Sequence, residues 1–265
     1  MAESTKIYAV ANQKGGVGKS TTVQNLGAGL ARAGKQVLLI DVDPQSNLTA
    51  ITGATSDAEN TDTVTMLEIL CEEKSINAGI QHLKQFDIIP ASMFLASIDG
   101  RIPNQLARPY RLQKAISELQ MDYDYILIDT PPALGTVTSN ALIAAQEVIV
   151  PAQADVLSLQ GVSQLFETIQ AAREHANPNL KIAGILLTRF NARTRLSQEL
   201  SNLFTAAAKQ MDTRLFDTRI RESVVVKEAQ AAYQDIFQYD AKSNPAIDYA
   251  ALTKEIFDVE VPLHG

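Results

Sequence analysis

The sequence predicts a doubly wound α/β fold, with a mostly parallel sheet of about seven or eight strands flanked by helices. Short β-branched and aliphatic runs alternate along the chain with segments of helical periodicity. Two of these runs, residues 37–40 and 125–128, are continuously apolar, as expected of strands covered on both faces. We expect one domain spanning residues 1–265, because α/β chains of this length often form a single core.

The first strand-to-helix junction is rich in glycine. Residues 12–22 read NQKGGVGKSTT and lie between a predicted strand at residues 7–11 and a helix predicted from Lys19 to about residue 33. Glycines permit backbone conformations that aim successive N–H groups into one anion-binding concavity. The N-terminus of the following helix adds further N–H groups and the positive end of its dipole. We therefore predict a phosphate-binding loop.

Two side chains of this loop have the chemistry of nucleotide binding. Lys19 provides a point charge for β and γ phosphates, and Ser20 provides a hydroxyl for Mg²⁺. The usual pattern begins with glycine, whereas this chain has Gln13 at that position, followed by a second lysine, Lys14.

Carboxylates end two of the predicted strands. Asp43 follows the second strand, where it either approaches the Mg²⁺ shell or the attacking water, or simply begins a turn before Pro44. Asp129 ends an apolar strand, the Walker B arrangement in which a carboxylate holds Mg²⁺ directly or through water. Pro131 and Pro132 stiffen the segment that follows, where we expect a nucleotide-sensing switch.

Composition excludes several classes of protein. The net charge is -7, which argues against a protein coated in nucleic acid by bulk charge. Cys71 is the only cysteine, so we expect neither disulfides nor a thiolate metal cage. No stretch approaches the length of a membrane span. We expect a cytoplasmic protein.

Residues 189–227 differ in charge from the rest of the chain. Eight basic and four acidic residues give this segment a net charge of +4, so the remainder carries -11. The segment is either a contact for a phosphate backbone or a solvated helix face.

The motifs together resemble one family. Residues 14–21, KGGVGKST, look like the deviant Walker A motif of the ParA/MinD ATPases, whose signature lysine corresponds to Lys14. Residues 41–45 resemble the family's switch I, and residues 128–132 its Walker B and switch II. The resemblance covers nearly the whole chain and is closest to the small ParA/Soj type of DNA-partition ATPase.

The resemblance implies a nucleotide-dependent dimer with ATP and Mg²⁺ as ligands. ATP would hold two subunits face to face, with Lys14 of each reaching the phosphates bound by the other, and Lys14 and Asp43 would serve catalysis. The implied nucleotide-binding residues are Lys14, Gly15, Gly16, Val17, Gly18, Lys19, Ser20 and Thr21. Mg²⁺ would be held directly by Ser20 and through water by Asp129, and Asp43 is a further candidate ligand.

The resemblance also implies partners and a cellular location. The ATP dimer would bind DNA non-specifically and associate with the nucleoid, and a centromere-binding, ParB-type protein would stimulate slow hydrolysis and release it. Arg193 matches a family arginine, but relatives often have arginine where this chain has Glu222 and Val225. The proposed contacts are therefore Arg193 with Arg195, Arg219, Arg221 and Lys227.

Three other functions remain alternatives. A MinD-like positioning ATPase would need a basic amphipathic helix at its C-terminus, whereas residues 255–260 are acidic. An iron–sulfur carrier would need more cysteines than Cys71. A phosphotransferase acting on a small metabolite is the third alternative, and Lys14 argues against it by pointing to a dimeric switch.

Overall fold

The computed structural model describes residues 5–56, 62–102 and 108–263. Seven strands in this part of the chain form one sheet. They are β1 (Lys6–Val10), β2 (Val37–Asp41), β3 (Gln81–His82), β4 (Asp87–Ile89), β5 (Tyr125–Asp129), β6 (Glu147–Gln153) and β7 (Lys181–Thr188). The strand order is β3-β4-β2-β5-β1-β6-β7, and only the β3–β4 pair is antiparallel. The predicted fold class is confirmed.

The sheet order brings the predicted motifs together. β5 lies between β1 and β2, so these consecutive strands pair with β5 rather than with each other. Asp129, the last residue of β5, pairs with the last residue of each neighbouring strand. These residues are Val10 on β1 and Asp41 on β2. The three strands therefore end at one edge of the sheet, where ligands bind in such folds.

Eleven helices are described around the sheet. They are α1 (Lys19–Arg32), α2 (Asn47–Thr52), α3 (Met66–Cys71), α4 (Ile98–Arg101), α5 (Arg111–Ser117), α6 (Thr136–Ala144), α7 (Val156–His175), α8 (Arg195–Gln210), α9 (Val225–Ala231), α10 (Ile236–Asp240) and α11 (Asn244–Phe257). Short 3-10 turns occur at Ile76–Gly79, Met93–Ser97 and Arg108–Tyr110. None of the described helices combines the length and the hydrophobicity that crossing a membrane requires.

The helix starts and stops have local causes. Gly34, at φ 81°, ends α1 after Ala33, as its position after the helical pattern predicts. α7 begins at Val156, because the Asp155 carboxylate caps it by accepting the Ser158 N–H at 2.8 Å.

The core has two layers, one on each face of the sheet. Alternate residues of β5 enter opposite layers, with Ile126 and Ile128 on one side and Leu127 on the other. On the second side, Phe257 of α11 packs edge-on against Tyr125 and Tyr8, with centroid distances of 5.1 and 5.0 Å. Each such aromatic pair contributes about 1 kcal/mol beyond area burial. The C-terminal helix is thus fixed to the centre of the sheet.

Candidate functional site

The glycine-rich loop is a curled segment between β1 and α1. Gly16 and Gly18 have φ of 73° and 87°, where a side chain would be strained, whereas Gly15 has no positive φ. A Cβ added at Gly15 or Gly16 would meet no other atom within 4 Å, so this side of the loop is open to a ligand. The loop therefore has the backbone freedom and the open face that a phosphate group needs.

Hydrogen bonds to β6 and β7 hold the loop in place. Asn12 is 1% exposed, donates to the Pro151 carbonyl at 2.6 Å and accepts the Lys14 N–H at 3.0 Å. Thr188 donates its hydroxyl to the Val17 carbonyl at 2.8 Å. Neither role was predictable from sequence, because Asn12 anchors the loop through Pro151 of β6 and Thr188 reaches it from β7.

Lys19 lies inside the site. It is 7% exposed, and its ammonium donates to the Lys14 carbonyl at 3.3 Å. Burial lowers the pKa of Lys19, while the carboxylates of Asp129 and Asp43 act in the opposite direction. A partly desolvated cation at the centre of the loop is suited to an anionic ligand.

Asp129 is fully buried at the end of β5, and neither of its carboxylate oxygens has a hydrogen-bond partner among the described residues. Burial raises its pKa well above the usual range, and Asp41 adds to this effect, while the nearby Ser20 hydroxyl and Lys19 ammonium oppose it. A buried carboxylate without partners is costly unless a ligand satisfies it. Carboxylate and hydroxyl oxygens are donors that Mg²⁺ accepts, so Asp129 and Ser20 fit this ion.

Asp43 is a further charged residue of the site. It is 5% exposed, and one of its oxygens accepts the Gln45 N–H at 2.9 Å. Asp43 lines a cavity of about 360 Å³ together with the glycine loop, Lys19, Ser20, Thr21 and Pro132. The structure thus brings the predicted loop, Asp43 and the proline segment to one cavity, while Asp129 lies buried beside Lys19 and Ser20 of its wall.

A second cavity, of about 180 Å³, adjoins the first and shares Gly16, Gly18, Thr21 and Gln230 with it. Its other walls come from distant parts of the chain, including Ile220, Val226 and Tyr249. Gln230 donates to the Thr21 hydroxyl at 2.9 Å, which ties α9 to the start of α1. The two cavities together can hold a ligand with an anionic end and a less polar end.

The Lys14 side chain does not line the first cavity, whereas that of Lys19 does. Its ammonium lies 2.6 Å from Oδ2 of Asp155 and 3.2 Å from Oγ of Ser158, at the start of α7. Burial tends to raise the pKa of Asp155, but its hydrogen bonds to Lys14 and Ser158 outweigh this, and the pKa is lowered. The Lys14 side chain is 27% exposed. Asp155 was not anticipated, since nothing in the sequence relates residues 14 and 155.

The basic segment does not form one continuous cationic surface. Arg221 makes an ion pair at 2.6 Å with Asp248 of α11, and Arg195 pairs with Glu199 one helical turn later. Burial lowers the pKa of Arg219, which lies near Asp217 and Glu255. Arg193 and Lys227 are exposed, and neither side chain makes an ion pair within the described ranges.

Comparison with known proteins agrees with this geometry. A family model described as "AAA domain" matches residues 5–182. The sporulation initiation inhibitor protein Soj of Bacillus subtilis is 38% identical over 254 residues, which cover 95% of this chain and 98% of the relative. The chromosome partitioning protein ParA of Myxococcus xanthus is 36% identical, over 97% of this chain and 89% of the relative.

A solved structure extends the comparison to three dimensions. The crystal structure described as cobyrinic acid a,c-diamide synthase from Mycobacterium smegmatis with bound ADP and magnesium is 32% identical to this chain. Its TM-score is 0.80, over 98% of this chain and 99% of that one. With the phosphate loop, the strand-end carboxylates and the relatives in agreement, the chain belongs to the ParA/MinD superfamily of Walker A ATPases, in its ParA/Soj branch.

Proposed function

We propose that the protein is a partition ATPase, a switch that dimerises around ATP, binds DNA without sequence preference and positions a plasmid or chromosome. A ParB-type partner would stimulate its slow hydrolysis of ATP to ADP and phosphate. The protein would act in the cytoplasm and associate with the nucleoid in its ATP state. This function combines the geometry of the site with the names of the Soj and ParA relatives.

The phosphate cavity supports ATP and Mg²⁺ as ligands. The loop N–H groups from Gly15 to Thr21 and the Lys19 ammonium would bind the phosphates. Ser20 would hold Mg²⁺ directly and Asp129 through water, and the ion would supply charge neutralisation between the phosphates. Asp43 faces the same cavity and uses one oxygen on Gln45, which leaves the other to orient the attacking water.

The adjoining cavity supports a position for the nucleoside. Ile220 and Val226 give it apolar walls, while Ser223 and Gln230 offer hydrogen-bonding groups. Such a mixture of apolar surface and few polar groups is typical of sites for planar heterocycles.

The proposal of a dimeric switch rests on the position of the Lys14 ammonium. Lys19 already supplies the cation inside the cavity, whereas Lys14 is held outside it by Asp155 and Ser158. An exposed ion pair of this kind is weak, so exchanging Asp155 for the phosphate of a nucleotide on a second subunit costs little. A cation supplied across the interface would tie dimerisation to the γ-phosphate.

Exposed cations support non-specific DNA contacts, but unequally. Arg193, at the loop before α8, and Lys227, beside the nucleoside cavity, lack ion pairs within the described part of the chain. Arg195 could exchange its exposed partner Glu199 for a phosphate, while Arg219 and Arg221 would have to leave partly buried or paired positions. Arg193 is therefore the leading contact.

The experiment that tests the function is binding to random-sequence DNA, with ATP or with ADP, across a series of salt concentrations. We expect binding with ATP only, with an affinity that falls steeply with salt. Equal affinity with both nucleotides, or no binding with either, would contradict the partition function.

A small-molecule enzyme is the second candidate, and the name of the Mycobacterium smegmatis structure motivates it. Such an enzyme should turn over ATP rapidly once its small substrate is present, and DNA should have no effect. ATP turnover measured with DNA and partner, and separately with cobyrinic acid and an amide donor, distinguishes the two. The MinD-like alternative predicts ATP-dependent binding to anionic vesicles instead of DNA.

A further inference from the structure

The short helix α2 follows the Asp43 segment, and its N-terminus lacks the usual cap. Ser46 is the N-cap residue, but it has φ 52° and its side chain makes no capping hydrogen bond. The first N–H groups of a helix have no partner inside the helix and need one from elsewhere.

The missing cap comes from Asp41, at the end of β2. Oδ2 of Asp41 accepts the Thr49 N–H at 2.8 Å and the Thr49 hydroxyl at 2.7 Å. Thr49 is the third residue of α2, the position whose N–H an N-cap side chain normally accepts. A carboxylate also suits the positive end of the helix dipole.

The other carboxylate oxygen of Asp41 contacts the backbone of Asp43. Oδ1 accepts the Asp43 N–H at 3.0 Å, so one fully buried carboxylate binds both ends of the segment from Asp43 to Thr49. The Thr49 hydroxyl also accepts the Ala91 N–H at 3.0 Å, beyond the end of β4. The segment is thus tied to two strands of the sheet.

We propose that Asp41 is a positioning residue for Asp43, acting as a remote cap that fixes the Asp43 backbone at the edge of the phosphate cavity. This inference rests on the proposed ATPase function. A reacting group displaced by about 1 Å can lose two orders of magnitude in rate, so such a constraint has direct consequences for turnover. Asp41 is the last residue of β2, does not line the phosphate cavity, and holds the segment through its hydrogen bonds to Asp43 and Thr49.

The test uses Asp41→Asn, because the amide has one acceptor oxygen and cannot serve both Asp43 and Thr49. We expect single-turnover ATP hydrolysis to slow on the order of tenfold, while the affinity for a fluorescent ATP analogue stays within about threefold. Thr49→Val should slow hydrolysis by about threefold, and Thr49→Ser should restore it.

Thr52→Val is the matched control. It removes a hydroxyl from the same helix, one that donates to the carbonyls of Leu48 and Thr49 rather than to Asp41. We expect its hydrolysis rate to stay within about twofold of wild type.

A double mutant separates positioning from general destabilisation. If Asp41 acts through Asp43, then Asp41→Asn adds no further slowing in an Asp43→Ala background, whereas a merely structural effect would slow hydrolysis in both backgrounds. Wild-type hydrolysis in the Asp41→Asn protein, or additive effects in the double mutant, would overturn the inference. If Asp41→Asn fails to fold, equal rates in Thr49→Val and Thr52→Val would overturn it. A wild-type protein that neither binds nor hydrolyses ATP would instead refute the ATPase function.

Discussion

The phosphate cavity and the basic segment use their charges in opposite ways. At the cavity wall Lys19 is almost completely buried, and Asp129 lies buried behind it with no hydrogen-bond partner among the described residues. In the basic segment, Arg195 and Arg221 are exposed or half-exposed and already have carboxylate partners. Uncompensated buried charge indicates a ligand, whereas paired surface charge is compatible with a purely structural role. The cavity therefore supports its function more directly than the basic segment does.

The largest expected effect is that of Lys19→Ala. Removing the buried ammonium leaves the phosphates without their cation, and we expect ATP affinity to fall at least about a hundredfold, or about 2.7 kcal/mol. Titration calorimetry with ATP and Mg²⁺ measures it. Lys181→Ala, at the opposite edge of the sheet, is the control and should bind ATP normally. An affinity for Lys19→Ala within about threefold of wild type would contradict the assignment.

Lys14→Ala should separate binding from dimerisation. Because the Lys14 ammonium lies on Asp155 rather than in the cavity, we expect ATP affinity to change by less than about threefold. The ATP-dependent dimer should weaken at least about tenfold, since the interface loses its cation. Sedimentation velocity with ATP and with ADP measures the dimer. A variant dimer as stable as that of wild type would argue against a contact across the interface.

Arg193→Ala and Arg221→Ala compare a free cation with a paired one. Arg193→Ala should lower the slope of log affinity for DNA against log salt by about 0.9, the value for one phosphate contact. Arg221→Ala should leave that slope unchanged but destabilise the fold by about 1–3 kcal/mol, because the Asp248 carboxylate loses its guanidinium partner and keeps only the main-chain N–H of residue 221. DNA titrations and urea unfolding of both variants make the comparison. The reverse pattern would place the DNA surface at Arg221.

The smallest effect concerns the ion pair of Lys14 and Asp155. The pKa of Asp155 is lowered in the folded protein, so its stabilisation is present at neutral pH and is lost as the pH falls through that lowered value. Since the side chains are 27% and 37% exposed, the contribution should stay below about 1 kcal/mol. Urea unfolding at pH 7 and at about pH 3 measures the difference, which Asp155→Asn should reduce. Asp212→Asn, on an exposed turn, should leave it unchanged.

Much of the fold was predictable because its signals are local. The continuous apolar runs became β2 and β5, and Gly34 follows the end of α1 as expected. A covered strand needs apolar residues on both faces, and a helix end favours a residue that tolerates positive φ, so sequence alone carries this information. The strand order was not predictable, because β5 comes between β1 and β2 only through long-range pairing.

The net charge of the basic segment does not show which of its cations have carboxylate partners. Its net charge of +4 is a property of the sequence, yet the partner of Arg221 is Asp248, which lies outside the segment on α11. The amino-acid sequence therefore gave a charge balance, and the tertiary structure decided which cations have partners. Arg193 differs from Arg221 in its surroundings and not in its residue type.

The sequence by itself determined the phosphate loop, its lysines and the carboxylates that end two strands, because each depends on residue type and short spacing. Only the tertiary structure decided that Lys19 enters the cavity while Lys14 pairs with Asp155, and that Asp41 caps α2 through Thr49, eight residues later in the chain. Those outcomes depend on which groups folding buries together. Burial and ion pairing depend on which groups lie close together in space, and the order of residues along the chain does not show this.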